Sequence, residues 1–187
     1  YKLKKYEINI CRKFDKVIML SNEDKKGLKL AGYTKNNVRI VPIGVDNNGY
    51  IKNIHKFEKI RNILFMGTMT WYPNEQGILW FIDNVWDILK NKYPSLSLYV
   101  VGKSPSNELV KRNNTTDIVV TGYVNDINEY IDKCDVCIIP LFIGGGMRVK
   151  ILESMAKGIP CIATNIGAEG IEVIHKKNIM IANTVNE

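Results

Sequence analysis

Residues 144–170 contain the groups in this sequence that are best suited to bind an anion. The stretch reads GGGMRVKILESMAKGIPCIATNIGAEG and begins with three glycines, which let a backbone turn sharply and bring its N–H groups close to a ligand. A helix N-terminus after such a loop favours phosphate. Arg148 and Lys150 add two cations in the first turn, and Glu153 follows one turn after Lys150. An anion site followed by a carboxylate suggests a nucleotide diphosphate and then hydroxyl groups.

Apolar spacing predicts a helix directly after the glycine loop. Its predicted stripe consists of Val149, Ile151, Leu152, Met155 and Ala156. Gly158 and Pro160 predict where the helix ends. A plain helix surface is an alternative explanation of the charges, because Glu153 and Lys157 stand at the favourable i, i+4 spacing. Glycine runs before helices are also common, so spacing alone leaves the ligand role of these charged residues open.

The same stretch resembles the donor-binding signature of GT-B-fold glycosyltransferases, specifically glycosyltransferase family 4. In that family a glycine loop and adjacent basic groups hold the donor diphosphate, and the glutamate of LE-x-M-A-x-G-x-P holds the donor ribose. The segment LESMAKGIP carries that glutamate here as Glu153. DKVIMLS at 15–21 and VRIVPIGVD at 38–46 resemble the end of the family's N-terminal Rossmann domain. The resemblance covers nearly the whole chain and is tightest at 135–170.

The resemblance implies a specific set of donor-binding residues and two catalytic groups. The implied donor-binding residues are Gly67, Thr68, Tyr123, Val124, Gly144, Gly145, Gly146, Met147, Arg148, Lys150 and Glu153. Arg148 and Lys150 would stabilise the leaving diphosphate, and Tyr123 and Val124 would lie beside the base. Two departures from the family stand out. The loop at 67–77 lacks the Arg and Lys of many members, and Gly145 replaces a glutamate that contacts the donor sugar in many relatives.

From residue 62 onward, strands and helices alternate. Helices are predicted at 75–92, 105–112 and 125–133, with Ser104 and Pro105 opening the second. The predicted strands are NILFMG, LSLYVVG, DIVVTG, DVCIIP, PCIAT and NIMIA. Near-continuous apolar strands that alternate with helices indicate a doubly wound parallel α/β sheet. Ligands of such sheets bind at the carboxyl ends of the strands, so the loops after Gly67, Gly102, Gly122 and Pro140 should share one rim.

The resemblance divides the chain into three parts. Residues 1–46 are predicted to be the tail of an N-terminal, acceptor-binding Rossmann-like domain, 47–60 a linker, and 61–187 the donor-binding domain. Within the first part, residues 2–13 predict a helix whose apolar stripe is Leu3, Tyr6, Ile10 and Phe14. Strands are predicted at 16–20 and 38–41, with Ser21 as the N-cap of the helix between them. The acceptor domain itself is expected upstream.

The composition is that of a globular protein, with 45% hydrophobic and 24% charged residues among 187. The net charge is +7, and the basic excess lies entirely in residues 1–60, which carry 14 Lys/Arg and 6 Asp/Glu. A solvated lysine-rich surface explains this excess better than nucleic-acid binding does. Peripheral contact with a membrane stays open, because acceptors in the resembled family are often lipid-linked.

Cys134 and Cys137 form a C-x-x-C, a spacing that can signal redox or metal chemistry. The chain has no second C-x-x-C, and its two histidines, His55 and His175, lie far away in sequence. Cys137 also begins the apolar run of a predicted buried strand. We therefore expect core cysteines and no metal site. The expected location is the reducing cytoplasm, including the inner face of the membrane.

The resemblance implies a retaining, metal-independent glycosyltransferase that moves a sugar from a nucleotide-sugar to an acceptor hydroxyl, without a cofactor. The expected partners are the nucleotide-sugar and a carbohydrate or lipid-linked acceptor, and no nucleic acid. Because no general base is evident, this chain should be the donor half and inactive alone. The alternative is a non-catalytic nucleotide-sugar-binding or interaction domain. A Rossmann dehydrogenase is disfavoured, since GTMTWYPNEQG lacks the G-x-G-x-x-G pattern.

Overall fold

The computed structural model describes residues 2–46, 59–114 and 116–187. They form a mixed α/β structure with two parallel sheets, one of two strands and one of six. The strands are β1 Val17–Met19, β2 Val38–Ile40, β3 Asn62–Met66, β4 Ser97–Val101, β5 Ile118–Gly122, β6 Val136–Ile139, β7 Cys161–Ala163 and β8 Met180–Ile181. The helices are α1 Lys2–Cys11, α2 Asn22–Leu30, α3 Tyr72–Phe81, α4 Asp87–Lys92, α5 Asn107–Lys111, α6 Asn128–Ile131 and α7 Val149–Ala156, with a π-helical segment at Ile82–Trp86.

The first 46 residues form the small sheet and the two helices that cover one of its faces. Strands β1 and β2 pair in parallel, and Ile8, Leu28, Tyr33 and Val38 are the buried residues between them and the helices. The predicted N-cap is present, because Ser21 Oγ accepts a hydrogen bond from the backbone N–H of Asp24 at 3.0 Å. Most of the predicted linker, at 47–58, lies outside the described residues, and the three-part division stays a prediction.

The apolar stripe predicted for α1 does not face the core. Leu3, Tyr6 and Phe14 are exposed, and the buried residue of the helix is Ile8. The helix itself was predicted correctly. The large side chains point outward because the small sheet offers only one covered face, and the helix rests on it through Ile8.

The six-stranded sheet has the order β5-β4-β3-β6-β7-β8, and every described pair is parallel. Alternate residues of β3 face opposite sides of the sheet. Phe65 packs with Ile78 of α3 on one side, and Leu64 packs with Ile151 of α7 on the other. Both sides are therefore covered by helices, which confirms the predicted doubly wound α/β fold.

Three helices differ in detail from the sequence prediction. The helical run predicted at 75–92 begins three residues earlier, at Tyr72, and it buries Trp86, which the predicted face omitted. Helix α5 is capped by Ser106 rather than Ser104, whose φ of +58° is incompatible with the predicted start. In α7 the fully buried residues are Ile151 and Ser154, because Ser154 Oγ donates to the carbonyl of Lys150 and can enter the core satisfied.

Cys134, Cys137 and Cys161 are buried free thiols, as the core-cysteine prediction requires. Burial raises the pKa of the Cys134 thiol to about 12, which keeps it protonated and unreactive. Within the described residues, no cluster of three His, Cys, Asp or Glu side chains could hold a metal ion. Nor does any helix in those ranges have the length and apolar character needed to cross a membrane.

Candidate functional site: a donor cleft at the carboxyl ends of the strands

Glycines end three adjacent strands and bring their backbones together at one rim. The N–H of Gly67, after β3, donates to Val101 at 3.0 Å, and the N–H of Gly102, after β4, donates to Gly122 at 3.1 Å. Gly102 has a φ of +153°, and a Cβ there would collide with the carbonyl of Gly67. Only glycine fits this contact, so the ends of β3 and β4 can approach each other closely at the rim.

A shallow cleft of about 310 Å³ lies on this rim. It gathers four of the predicted donor-binding residues, namely Gly67, Thr68, Tyr123 and Val124. Lys103 and Asn125 also line it, and sequence reasoning missed both. Their position directly after strand ends was the available signal. The cleft has the size and openness to receive a flat, polar ring beside backbone groups.

The glycine loop is held in shape by Arg148. Gly144 and Gly146 have φ values of +105° and +88°, in the left-handed region that favours glycine. Arg148 Nη1 donates to the carbonyls of Gly145 at 2.6 Å and Gly146 at 2.9 Å. Arg148 was predicted in the first helical turn, but it occupies the N-cap position instead, immediately before Val149.

The guanidinium of Arg148 is buried yet incompletely paired. The residue is 4% exposed, and its Nε and Nη2 atoms have no hydrogen-bond partner within the described residues. Desolvation lowers the pKa of Arg148, and the nearby Glu169 carboxylate opposes that shift. Arginine stays charged under these conditions. Two donors on a buried cation therefore lack an acceptor in this structure, an arrangement that is costly unless a ligand supplies one.

Lys150 lies beneath the rim instead of on it. Its Nζ donates to the carbonyl of Met66 at 2.7 Å and to Asn74 Oδ1 at 3.0 Å. A Cβ at Gly67 would sit 2.6 Å from Asn74 Nδ2 and 3.0 Å from that Nζ, so the absence of a side chain at Gly67 makes room for the Asn74–Lys150 pair. Burial lowers the pKa of Lys150 to about 8. The loop at 67–77, which lacks a basic residue of its own, thus receives a cation from α7.

Glu153 is exposed on α7, and the structure gives its carboxylate no hydrogen bond or ion pair among the described residues. Lys157, the residue that could have neutralised it at i, i+4, lies 3.6 Å from Asp132 through its Nζ. This arrangement leaves the Glu153 carboxylate available to a ligand.

The remaining predicted residues face the first 46 residues of the chain. Gly145 and Gly146 line a polar cleft of about 250 Å³ together with Ser21 and Glu169. Met147 lines a neighbouring cleft of about 520 Å³. The predicted set therefore divides between the strand rim, the glycine loop and the boundary with the small sheet, with Arg148 and Lys150 at the junction of the first two.

A six-stranded parallel sheet with helices on both sides is the fold of the C-terminal half of a GT-B glycosyltransferase. Comparison with known proteins gives the family. The sequence profile described as Glycosyl transferases group 1 matches residues 60–187. The chain belongs to this family.

Three similar proteins define the relationship further. The chain is 28% identical over 175 residues to UDP-Gal:alpha-D-GlcNAc-diphosphoundecaprenol alpha-1,3-galactosyltransferase of Escherichia coli, covering 86% of the chain and 45% of that protein. It is 24% identical over 199 residues to an uncharacterized protein of the cps region of Klebsiella pneumoniae, covering 98% and 47%. Anabaena HepE, solved with UDP and glucose, superposes with a TM-score of 0.73 at 17% identity, covering 96% and 52%. The chain thus spans about half the length of the curated relatives it matches.

Proposed function

We propose that this chain is the donor-binding half of a retaining glycosyltransferase of family 4, which transfers a hexose from a nucleotide-sugar to an acceptor hydroxyl. The observation that carries the proposal is the pair of cations beside the glycine loop, the buried Arg148 and the partly buried Lys150. A cation is stable in such a place only when paired, and Arg148 retains two unpaired donors. A diphosphate would supply acceptors and negative charge for these two cations.

The proposed donor lies across the rim in three parts. Its base enters the cleft of Thr68, Tyr123 and Val124. The structure of HepE in complex with UDP is a precedent for uracil as that base. Its ribose hydroxyls donate to the free carboxylate of Glu153. Its diphosphate meets the glycine-loop N–H groups, the start of α7 and the two cations.

Catalysis in this proposal is electrostatic. As the bond between the sugar and the diphosphate breaks, negative charge grows on the leaving oxygen, and Arg148 and Lys150 stabilise it from fixed positions. Two protein cations and a helix N-terminus supply the charge that a metal would otherwise bring, so the proposed transferase needs no metal and no cofactor. A preorganised cation gives more transition-state stabilisation than a mobile one because no reorganisation is required.

The acceptor and the rest of the active site would come from an N-terminal acceptor domain, so we propose that this chain alone binds the donor but turns it over poorly. The acceptor would be a carbohydrate or a lipid-linked sugar, as the name of the E. coli relative specifies for that enzyme. The proposed location is cytoplasmic, with peripheral contact at the inner face of the membrane through the lysine-rich first 60 residues.

Calorimetry with UDP, GDP and uridine, followed by a transfer assay with UDP-glucose and UDP-galactose, tests this function. We expect a nucleoside diphosphate to bind more tightly than its nucleoside, and negligible turnover. Failure of both diphosphates to bind would remove the donor site. Efficient transfer by this chain would contradict the proposal that it is only the donor-binding half of the enzyme. If the chain binds a diphosphate but shows no transfer even when an acceptor domain is added, a non-catalytic nucleotide-sugar-binding domain is favoured.

A further inference from the structure

The segment Trp71–Asn74 contacts both cations of the proposed diphosphate site. The Trp71 ring centre lies 5.1 Å from the guanidinium carbon of Arg148, and Asn74 Oδ1 accepts from Lys150 Nζ at 3.0 Å. We propose that Trp71 and Asn74 are positioning residues, which hold the two cations and the glycine loop in the geometry that binds a diphosphate without touching it themselves. This inference rests on the proposed function and adds two residues that the donor-binding set lacks.

Trp71 fixes the plane of the guanidinium. At Gly144 an added Cβ would lie 3.3 Å from each of three atoms: Arg148 Nη2, a Trp71 ring carbon and Pro73 Cγ. The indole, the guanidinium and the glycine backbone therefore meet at Gly144. Arginine favours contact with an aromatic face, because the ring attracts the cation while the in-plane donors stay free to bond. Nη1 is committed to the loop carbonyls, and Nε and Nη2 are the guanidinium atoms without a partner among the described residues.

Asn74 fixes Lys150 and the rim loop at once. Its side chain is buried, at 4% exposure of the residue, and both ends are paired: Nδ2 donates to the carbonyl of Thr68 at 2.9 Å while Oδ1 accepts from Lys150. A buried amide with both ends satisfied has one orientation only. The Thr68 loop is thereby tied above the ammonium. Lys150 Nζ has two oxygen acceptors among the described residues and also lies 5.0 Å from the centre of the Phe65 ring.

The two contacts connect elements that are distant in sequence. Arg148 and Lys150 come from the start of α7, while Trp71 and Asn74 come from the start of α3, more than seventy residues earlier. Loss of the Trp71 contact should leave the base and ribose regions intact, so the affinity for a diphosphate should fall and the affinity for the nucleoside should not. Loss of Asn74 also frees the Thr68 loop of the base cleft, so it should weaken the nucleoside as well, but less than the diphosphate.

The test compares UDP and uridine affinities by calorimetry in the intact 187-residue chain. Trp71→Ala should weaken UDP about 2- to 30-fold, the range of a cation–π contact, while uridine binding stays unchanged. Asn74→Ala should weaken UDP about 10-fold and uridine less, because the Thr68 loop loses one bond. Trp71→Phe keeps a ring and should retain UDP affinity. The matched controls are Tyr72→Ala, an exposed neighbour of Trp71, and Asn84→Ala, whose amide bonds only the Trp80 carbonyl. Equal losses for UDP and uridine would overturn the proposal.

A second measurement needs no ligand. Hydrogen exchange of the Arg148 side-chain N–H groups, followed by NMR, should accelerate in Trp71→Ala and not in Tyr72→Ala, because only the former uncovers the guanidinium that bonds the loop carbonyls. If the melting temperature shows that an alanine variant is poorly folded, Trp71→Leu and Asn74→Ser replace it, since they keep apolar bulk and a polar group but remove the ring contact and the bond to Lys150. Unchanged exchange of the Arg148 side chain in folded Trp71 variants would overturn the positioning role. Failure of the wild-type chain to bind UDP would instead overturn the proposed function, and the exchange result would stand.

Discussion

The two ends of the proposed donor site are built in opposite ways. At the diphosphate end, Arg148 is 4% exposed and Lys150 lies beneath the rim, and each is held by backbone carbonyls and by one side chain from the start of α3. At the nucleoside end, Tyr123 is 73% exposed and Glu153 projects from α7 without a partner in the described structure. One end is fixed before the donor arrives. The other is open to solvent.

This difference follows from the work each end would do. Charge that develops during bond cleavage is stabilised best by cations that are already in place and out of water. A base and a ribose are nearly unchanged by the reaction, so uniform contacts from solvent-exposed groups suffice to bind them. Substitutions at the buried end should therefore act on phosphate alone and strongly, and substitutions at the open end should act on all nucleotides and weakly.

Arg148→Ala should give the largest effect. It removes two free donors and the braces on the Gly145 and Gly146 carbonyls, so UDP binding should weaken about 10- to 150-fold, the range for hydrogen bonds to a charged group. Uridine binding should stay within about twofold of the wild type by the same reasoning. Calorimetry with both ligands measures this ratio, and Arg112→Ala, whose guanidinium pairs with Asp83 away from the rim, is the matched control. A similar loss for uridine and UDP would contradict the phosphate role.

Lys150 should make UDP affinity depend on pH. Because its pKa is lowered to about 8, its ammonium form is lost between pH 7 and 9, and UDP should bind up to about tenfold more weakly at pH 9. Uridine binding should be flat over this range. Calorimetry at several pH values measures the slope, and Lys150→Met should bind UDP weakly at every pH. A flat UDP profile for the wild type would show that Lys150 does not serve the phosphate.

Stability should move in the opposite direction. The folded pKa of Lys150 is about 8 and its ordinary value is 10.5, so between these values the unfolded chain binds one more proton than the folded chain. The free energy of unfolding should therefore rise with pH across that window, and below it the burial penalty on the ammonium is fully present. Chemical denaturation of wild type and Lys150→Met at pH 7 and pH 9.5 isolates this contribution. Only the wild type should gain stability between these two pH values.

Glu153→Gln should produce a smaller, less selective loss. The amide keeps the shape of the carboxylate but is a weaker acceptor for ribose hydroxyls, and solvent reduces the difference, so affinity should fall about 3- to 10-fold. Uridine and UDP should lose equally, unlike in Arg148→Ala. Glu129→Gln, an exposed carboxylate on α6, is the control. A loss confined to UDP would move Glu153 out of the ribose contact.

The open end and the layout of the strands could be predicted from sequence because their signals are local. Alternating apolar strands and helices predict the doubly wound sheet, and the rule that ligands lie at strand carboxyl ends brings Gly67, Gly102 and Gly122 to one rim. Ser21 is an N-cap with an acceptor and a backbone partner three residues away. These features depend on neighbours along the chain.

The buried end could not be predicted, because its contacts join distant segments. Nothing in the spacing of Lys150 indicates that its ammonium reaches the Met66 carbonyl, 84 positions earlier, or that Asn74 holds it. Arg148 was predicted as a cation near phosphate, but its bond to the glycine carbonyls and its contact with Trp71 require the fold. The prediction that the apolar stripe of α1 faces the core was wrong for a similar reason. Periodicity shows which residues share a face, and it does not show whether another element covers that face.

Tyr123→Ala tests the weakest contact and the limit of the comparison. The ring is exposed and lines the rim cleft, so stacking on a base would replace contact with water on one face only. Base–aromatic stacking contributes about 1–3 kcal/mol when the ring is well placed, and an exposed ring should lie at the low end, which corresponds to a loss of about fivefold. UDP and uridine should lose equally, and Tyr123→Phe should lose nothing, because stacking needs the ring and not the hydroxyl. Calorimetry of both ligands with Tyr72→Ala as the control decides the point. A loss larger than that of Arg148→Ala would show that the open end, and not the buried cations, dominates donor binding.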